Sequence, residues 1–178
     1  PLAGTPLEPL PGVVITTWAA WLARHPHSEI IDGDPALGRR YASTSYTRYF
    51  TNNSFLFPMP PVPSSPQETP ALARKAPVVA LRDPRDASKW MVLPTERIRV
   101  AVGRSDSGEI EVDGLRLRAE VTAAHAPGEP AGARLEPFDG DPLMTVPSLW
   151  FVWRAFHPDA QIEVITRPGE SAAADPSR

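Results

Sequence analysis

Four histidines, His25, His27, His125 and His157, are the first residues that could do chemistry. A metal site would need His25 and His27 joined by His157 or by a carboxylate such as Asp32 or Asp34, each donor at ~2.0–2.2 Å. His25 and His157, however, each stand just before a proline at the end of an apolar stretch. There an imidazole can bond the last helix carbonyls and favour the dipole, and that role suits them better. Asp32-Gly33-Asp34 and Asp139-Gly140-Asp141 cluster oxygens, but neither continues as a calcium loop and both run into proline, as turns do. Ser105 and Ser107 lie in Gly103-Arg104-Ser105-Asp106-Ser107-Gly108, which lacks the form of a nucleophile elbow and reads as a loop between strands. The sequence has no phosphate loop, no dinucleotide glycine fingerprint and no cysteine, so thiolate catalysis, disulfides and Cys-ligated metals are excluded within it. No catalytic residue, cofactor or metal is expected.

Binding is a better prospect. Arg39, Arg40, Tyr41, Tyr46, Arg48 and Tyr49 mix guanidinium and aromatic groups, the side chains that anchor interfaces. Their plainer use is to pin an irregular loop through satisfied hydroxyls. Pro60, Pro61 and Pro63 belong to an extended segment with little freedom left to lose on binding. These nine residues are the candidates for contact with protein partners. Nucleic acid is not expected, because 18 basic against 21 acidic residues leave a net charge of −3.

These candidates need a scaffold, and 178 residues with 42% hydrophobic content suit one domain. We expect it over residues 1–166, with a proline-rich loop at 58–77 and a flexible tail at 167–178. The 23 prolines are about 13% of the chain against a usual ~5%, which disfavours long helices and parallel sheets. No apolar run reaches the ~20 residues of a membrane span. Lys75 and Lys89 are the only lysines, so sixteen of the 18 basic residues are arginine, as a GC-rich genome would produce. The chain starts at Pro1 without methionine or signal peptide and reads as a mature or truncated product.

The element pattern predicts an α+β, mainly β fold: a meandering antiparallel sheet carrying two short tryptophan-bearing helices. Thr16 or Thr17 caps the first helix, with Trp18, Trp21, Leu22 and His25 at helical spacing. Ile30-Ile31 starts an extended segment. Residues 77–81, 90–93 and 99–102 read as strands. Residues 109–121 form a hairpin turning at Asp113-Gly114, with one apolar and one charged face. A turn-rich connection covers 126–142, Ser148 opens the second helix, and Ile162, Val164 and Ile165 alternate as a strand.

The two helices are a repeat. Trp18, Trp21, His25, Pro26 and Ile30 recur as Trp150, Trp153, His157, Pro158 and Ile162, always 132 residues on, and Val14/Val146 and Ala23/Ala155 match at the same offset. Four of the five tryptophans fall in register. This predicts a duplicated helix–proline–strand unit with Trp18, Trp21, Trp150 and Trp153 as core anchors.

The order Thr17-Trp18, Trp21, His25-Pro26, Arg39-Arg40-Tyr41, Tyr46, Tyr49, Phe57-Pro58, then Lys75, Val78, Leu81 and Leu149-Trp150-Phe151-Val152-Trp153 with Phe156-His157-Pro158, resembles a bacterial family known as domain of unknown function 3179. The resemblance covers about residues 4–165. It implies an exported protein, secreted or membrane-tethered. It also implies an upstream section with a cysteine-bearing stretch and a Trp-Ser-Gln-like stretch, neither of which this sequence contains, so the chain resembles the family's C-terminal portion. The expected function is a non-enzymatic extracytoplasmic binding or assembly domain, periplasmic or at the cell surface. Such a domain would dock as an accessory subunit on a larger membrane-associated complex, for example a respiratory or photosynthetic assembly. The alternative is an exported enzyme or metal-binding protein whose reactive residues lie in the absent upstream half.

Overall fold

A computed structural model describes residues 13–31, 72–122 and 132–170, with residues 11, 33, 36 and 49 besides. In chain order these contain α1 (Trp18–Arg24), β1 (Pro77–Arg82), β2 (Trp90–Pro94), α2 (Thr95–Val102), a 3-10 turn (Gly103–Ser105), β3 (Ser107–Val112) and β4 (Leu115–Thr122). β5 (Gly132–Pro137), β6 (Thr145–Leu149), α3 (Trp150–Phe156) and β7 (Ile165–Thr166) follow. The fold is α+β and mainly β, with two antiparallel sheets ordered β2–β1–β6 and β5–β4–β3–β7.

β1 explains the layering. Its run Val78-Val79-Ala80-Leu81 is apolar at every position, which a strand can use only if both its faces are covered. Val79 and Leu81 join Met91, Leu93, Ile98, Ile110 and Leu117 in the core between the sheets. Val78 and Ala80 face the other way and pack with Val92, Trp150 and Trp153 under α3. The first sheet is thus the middle layer, with the second sheet on one side and α3 on the other.

The hairpin at 109–121 forms as its alternation requires. Ile110 pairs with Leu117 on the buried face, and Glu109 stands opposite Arg118 on the other. Asp113 (φ 48°) and Gly114 (φ 73°) give the tight turn two left-handed residues, matching the strands' twist.

Other segments differ from expectation. Residues 99–102 are not a strand but the last turn of α2, which starts immediately after Pro94. Buried Ile98 with the partly buried Ala101 and Val102 follows helical spacing, whereas Val100 is 67% exposed. The β-branched composition suggested a strand, but tertiary burial favours the helical face. Within the presumed connection at 126–142 lies β5, where buried Ala133 and Leu135 alternate with Arg134 and Glu136. The second helix opens at Trp150 rather than Ser148, because residues 145–149 are β6 against β1. Pro147 fits there. The bonds Arg82 N–H to Met144 O and Trp150 N–H to Ala76 O set the ladder so that Pro147, opposite Val79, owes β1 no donor.

Ile162 makes a lone parallel bridge to Val92, and the strand there is confined to Ile165–Thr166. Pro77 belongs to β1 rather than to the proline-rich loop. Residues 58–71 and 171–178 lie outside the described residues. At the expected start of the tail, Arg167 is tied down, its Nε donating to Ala101 O at 2.8 Å and its guanidinium to Val100 O at 3.4 Å.

The two sheets are fastened at their hairpin tips. Asp83, 4% exposed, accepts from Arg85 Nε and from the guanidinium terminus, both at 2.9 Å. Arg85 also donates to Asp113 O at 2.8 Å, and Lys89 Nζ lies 2.8 Å from Asp113 Oδ2. The hydrogen bonds from Arg85 outweigh burial and hold the Asp83 carboxyl down at about 2. Glu163, which feels the same charges, is pushed up by burial.

The depressed value means that Asp83 stabilises the fold above its unfolded pKa of ~3.9, and that this contribution disappears as pH falls from about 4 through about 2. With Arg85 half exposed, we expect on the order of 1–2 kcal/mol. Urea midpoints should fall between pH 5 and pH 2.5 in the native chain. They should fall distinctly less in Asp83→Asn, and equal slopes would exclude Asp83 as the source.

Candidate partner-binding face

The duplication holds in three dimensions. α1 and α3 each span seven residues at the 132-residue offset. Each ends in a histidine cap with nearly the same backbone, φ −130° with ψ 67° at His25 and 74° at His157, and each cap N–H bonds the carbonyl of the preceding tryptophan. The imidazoles do not reach terminal carbonyls as expected. They lie on the indoles, with ring centroids 4.1 Å apart in both Trp21–His25 and Trp153–His157. A histidine four residues after a tryptophan stands over it on the helix face, and ring stacking buries more apolar area than one hydrogen bond to a carbonyl would.

What covers the two stacks differs. In the second unit β1 and β2 lie across α3, and Trp90 closes edge-on over Trp153 at 5.2 Å. Trp150 and Trp153 are 3% and 6% exposed, and Ile162 packs against the same core. In the first unit Trp18 is 42% exposed, Trp21 38% and Ile30 67%. The expected core role therefore holds for Trp150 and Trp153 and not for Trp18 and Trp21. The reason is a missing cover: among the described residues no strand pair lies on α1 as β1 and β2 lie on α3. The sequence pattern of the helix itself cannot show this.

α1 and the segment before it meet the body at a few points. Thr17 Oγ1 accepts from Ala20 N–H at 3.2 Å, and Arg24 pairs with Glu120 on β4. Thr145 Oγ1 donates to Val13 O at 3.1 Å, joining two equivalent positions of the repeat. The Ile15 carbonyl lies so close to Gly132 that a Cβ there would collide with it. No α1 residue is buried; Trp18 and Trp21 are both exposed on it, as are Ile30 and Ile31 further along the chain.

One polar detail separates the units. Trp21 Nε1 donates to Ser28 Oγ at 2.8 Å. At the equivalent of Ser28 stands Ala160, and the buried Trp153 Nε1 has no acceptor among the described residues. Ala160→Ser should give the indole its acceptor and raise stability by ~1 kcal/mol, read as a higher urea midpoint. An unchanged or lower midpoint would mean that the serine cannot reach.

Of the other candidates, Tyr49 is described: Lys75 Nζ sits 3.6 Å over its ring and donates to its carbonyl, a pin rather than an open surface. Arg39, Arg40, Tyr41, Tyr46, Arg48, Pro60, Pro61 and Pro63 lie outside the described residues, as do His125, Asp32 and Asp34. Among the described residues no three His, Asp or Glu side chains gather as metal ligands. A cleft of about 490 Å³ lies beside α2 and β7, rimmed by Glu96, Arg97, Arg167 and Glu170. Its Arg167 is committed to the carbonyls of α2.

A mainly β, three-layer domain with one buried and one partly exposed tryptophan helix is the class that the fold and this face define. Residues 1–160 match the family described as Protein of unknown function (DUF3179), and the chain belongs to that family. No curated protein and no solved structure matches it.

Proposed function

We propose that this chain is a non-enzymatic assembly domain that works by contact with protein partners, and that the face of α1 is its docking surface. The observation that carries the reading is the pair Trp18 and Trp21, about 40% exposed on a helix that Arg24 ties to Glu120 of β4. Two aromatics held on one helix side are the residue type and arrangement that dominate binding energy at interfaces. Exposed apolar patches of this kind mark interaction sites. The domain acts outside the cytoplasm as an accessory subunit of a larger membrane-associated complex. No helix among the described residues is long and apolar enough to cross a membrane.

The test is chemical cross-linking of the protein in its native membranes and extracts, followed by mass spectrometry. Stoichiometric cross-links between residues 13–31 and a second protein are expected. Recovery as a free monomer that turns over a small molecule would overturn the reading.

A further inference from the structure

We propose that the occupant of this face is an antiparallel β-hairpin of a partner protein, added to the edge of residues 13–17 in the register that β1 keeps with β6. The inference rests on the assembly-domain reading and names the partner's chemistry.

The argument starts from the ladder. Arg82 bonds Met144 and Trp150 bonds Ala76, and antiparallel bonding alternates, so Val146 and Ser148 turn their N–H and C=O groups toward β1. Thr145 and Pro147 turn theirs away. The first unit repeats this parity: the carbonyls of Val13 and Ile15, equivalents of Thr145 and Pro147, face inward to Thr145 Oγ1 and Gly132. The backbone groups of Val14 and Thr16 therefore point to the opposite edge. Among the described residues they bond to nothing, and the Trp18 N–H, whose equivalent reaches Ala76, has no acceptor either. An unpaired row of donors and acceptors beside an exposed apolar face is a template for strand addition.

The covered unit specifies what fits. Opposite Val146 and Ser148 stand Ala80 and Val78, whose side chains pack on Trp150 and Trp153. The partner strand accordingly presents small or β-branched residues opposite Val14 and Thr16. The second strand supplies an aromatic over the Trp21–His25 stack, as Trp90 does over Trp153, and a β-branched residue at Ile30, as Val92 does at Ile162. A single inserted side chain would not suffice. Each tryptophan offers ~150–250 Å² at most, part of it already buried, whereas a stable interface takes ~800 Å² per partner. Two strands with their ladder bonds make up that area.

The probe is a synthetic peptide of residues 72–94 of this same sequence, titrated into isotope-labelled full chain. Strand addition predicts shifts of the Trp18 and Trp21 indole resonances and slowed hydrogen exchange at Val14, Thr16 and Trp18. Thr16→Pro, which removes an edge donor, should weaken binding at least tenfold, and so should Trp21→Ala, which leaves the backbone edge intact. Binding unaffected by Thr16→Pro, or shifts confined elsewhere, would overturn the proposal. So would edge amides already protected in the free chain, which would make residues 32–71 the cover, or a dimer that buries the face. If cross-linking finds a partner at residues 13–31 but these amides stay unprotected in that complex, strand addition fails and the assembly reading stands. If no partner is found, the assembly reading fails.

Discussion

Trp153→Ala should cost ~3–5 kcal/mol, while Trp21→Ala, the same substitution at the equivalent place in the repeat, should cost about 1 kcal/mol or less. Trp153 is 6% exposed and touches both Trp90 and His157, so truncation opens a cavity that two strands and a helix cannot close. Trp21 already meets solvent over more than a third of its surface, and truncation removes mainly its stack on His25 and its bond to Ser28. Urea denaturation of both variants against the native chain measures the difference. Equal losses would mean that Trp21 is as covered as Trp153, and would remove the docking surface.

Gly132→Val should be the other severe substitution, at ~1–3 kcal/mol or more, the usual range for overpacking. The colliding atom is the Ile15 carbonyl oxygen, which is backbone and has no rotamer into which to retreat. Relief requires the whole segment at 13–17 to back away from β5. That would pull on the Thr145–Val13 hydrogen bond and on the Arg24–Glu120 pair. The loss should be local: limited proteolysis should cut near residues 13–31 at lower protease concentration, while near-ultraviolet dichroism from the Trp90–Trp153 cluster persists. Unchanged protection of residues 13–31 would show that β5 does not hold α1 in place. If the face of α1 docks a partner as proposed, the variant, which loosens that face without touching it, should also bind less tightly.

For function, the two units represent one design in two states of completion. The second shows what the tryptophan–histidine stack looks like when a strand pair covers it, and the first shows the same stack uncovered. The comparison within one chain is what the proposed partner's shape is argued from. Burial leaves Trp150 and Trp153 of the second unit without an exposed face.

The sequence by itself determined the local elements whose signals are short-range. Asp113-Gly114 between alternating runs was enough for the hairpin, since only left-handed turn residues close two twisted strands so tightly. Thr16 or Thr17 before Trp18 was enough to start α1 there, the structure choosing Thr17, and the 132-residue register was enough for the duplication. The family was legible for the same reason, as an ordered series of aromatic and proline positions.

Tertiary structure alone decided the rest. Residues 99–102 carry β-branched side chains, yet the core needed Ile98 and Ala101 on one helical face. β5 and β6 are short and hold or border proline, and each becomes a strand only because β4 or β1 offers it a ladder. Above all, Trp18-Ala19-Ala20-Trp21 and Trp150-Phe151-Val152-Trp153 have the same apolar spacing, so periodicity assigns both pairs to a core. Burial is a property of what lies across from a side chain, and for α3 that cover is β1 and β2, more than fifty residues away in the sequence. For α1 no such cover lies among the described residues, which is why one pair is buried in the core and the other stays partly exposed.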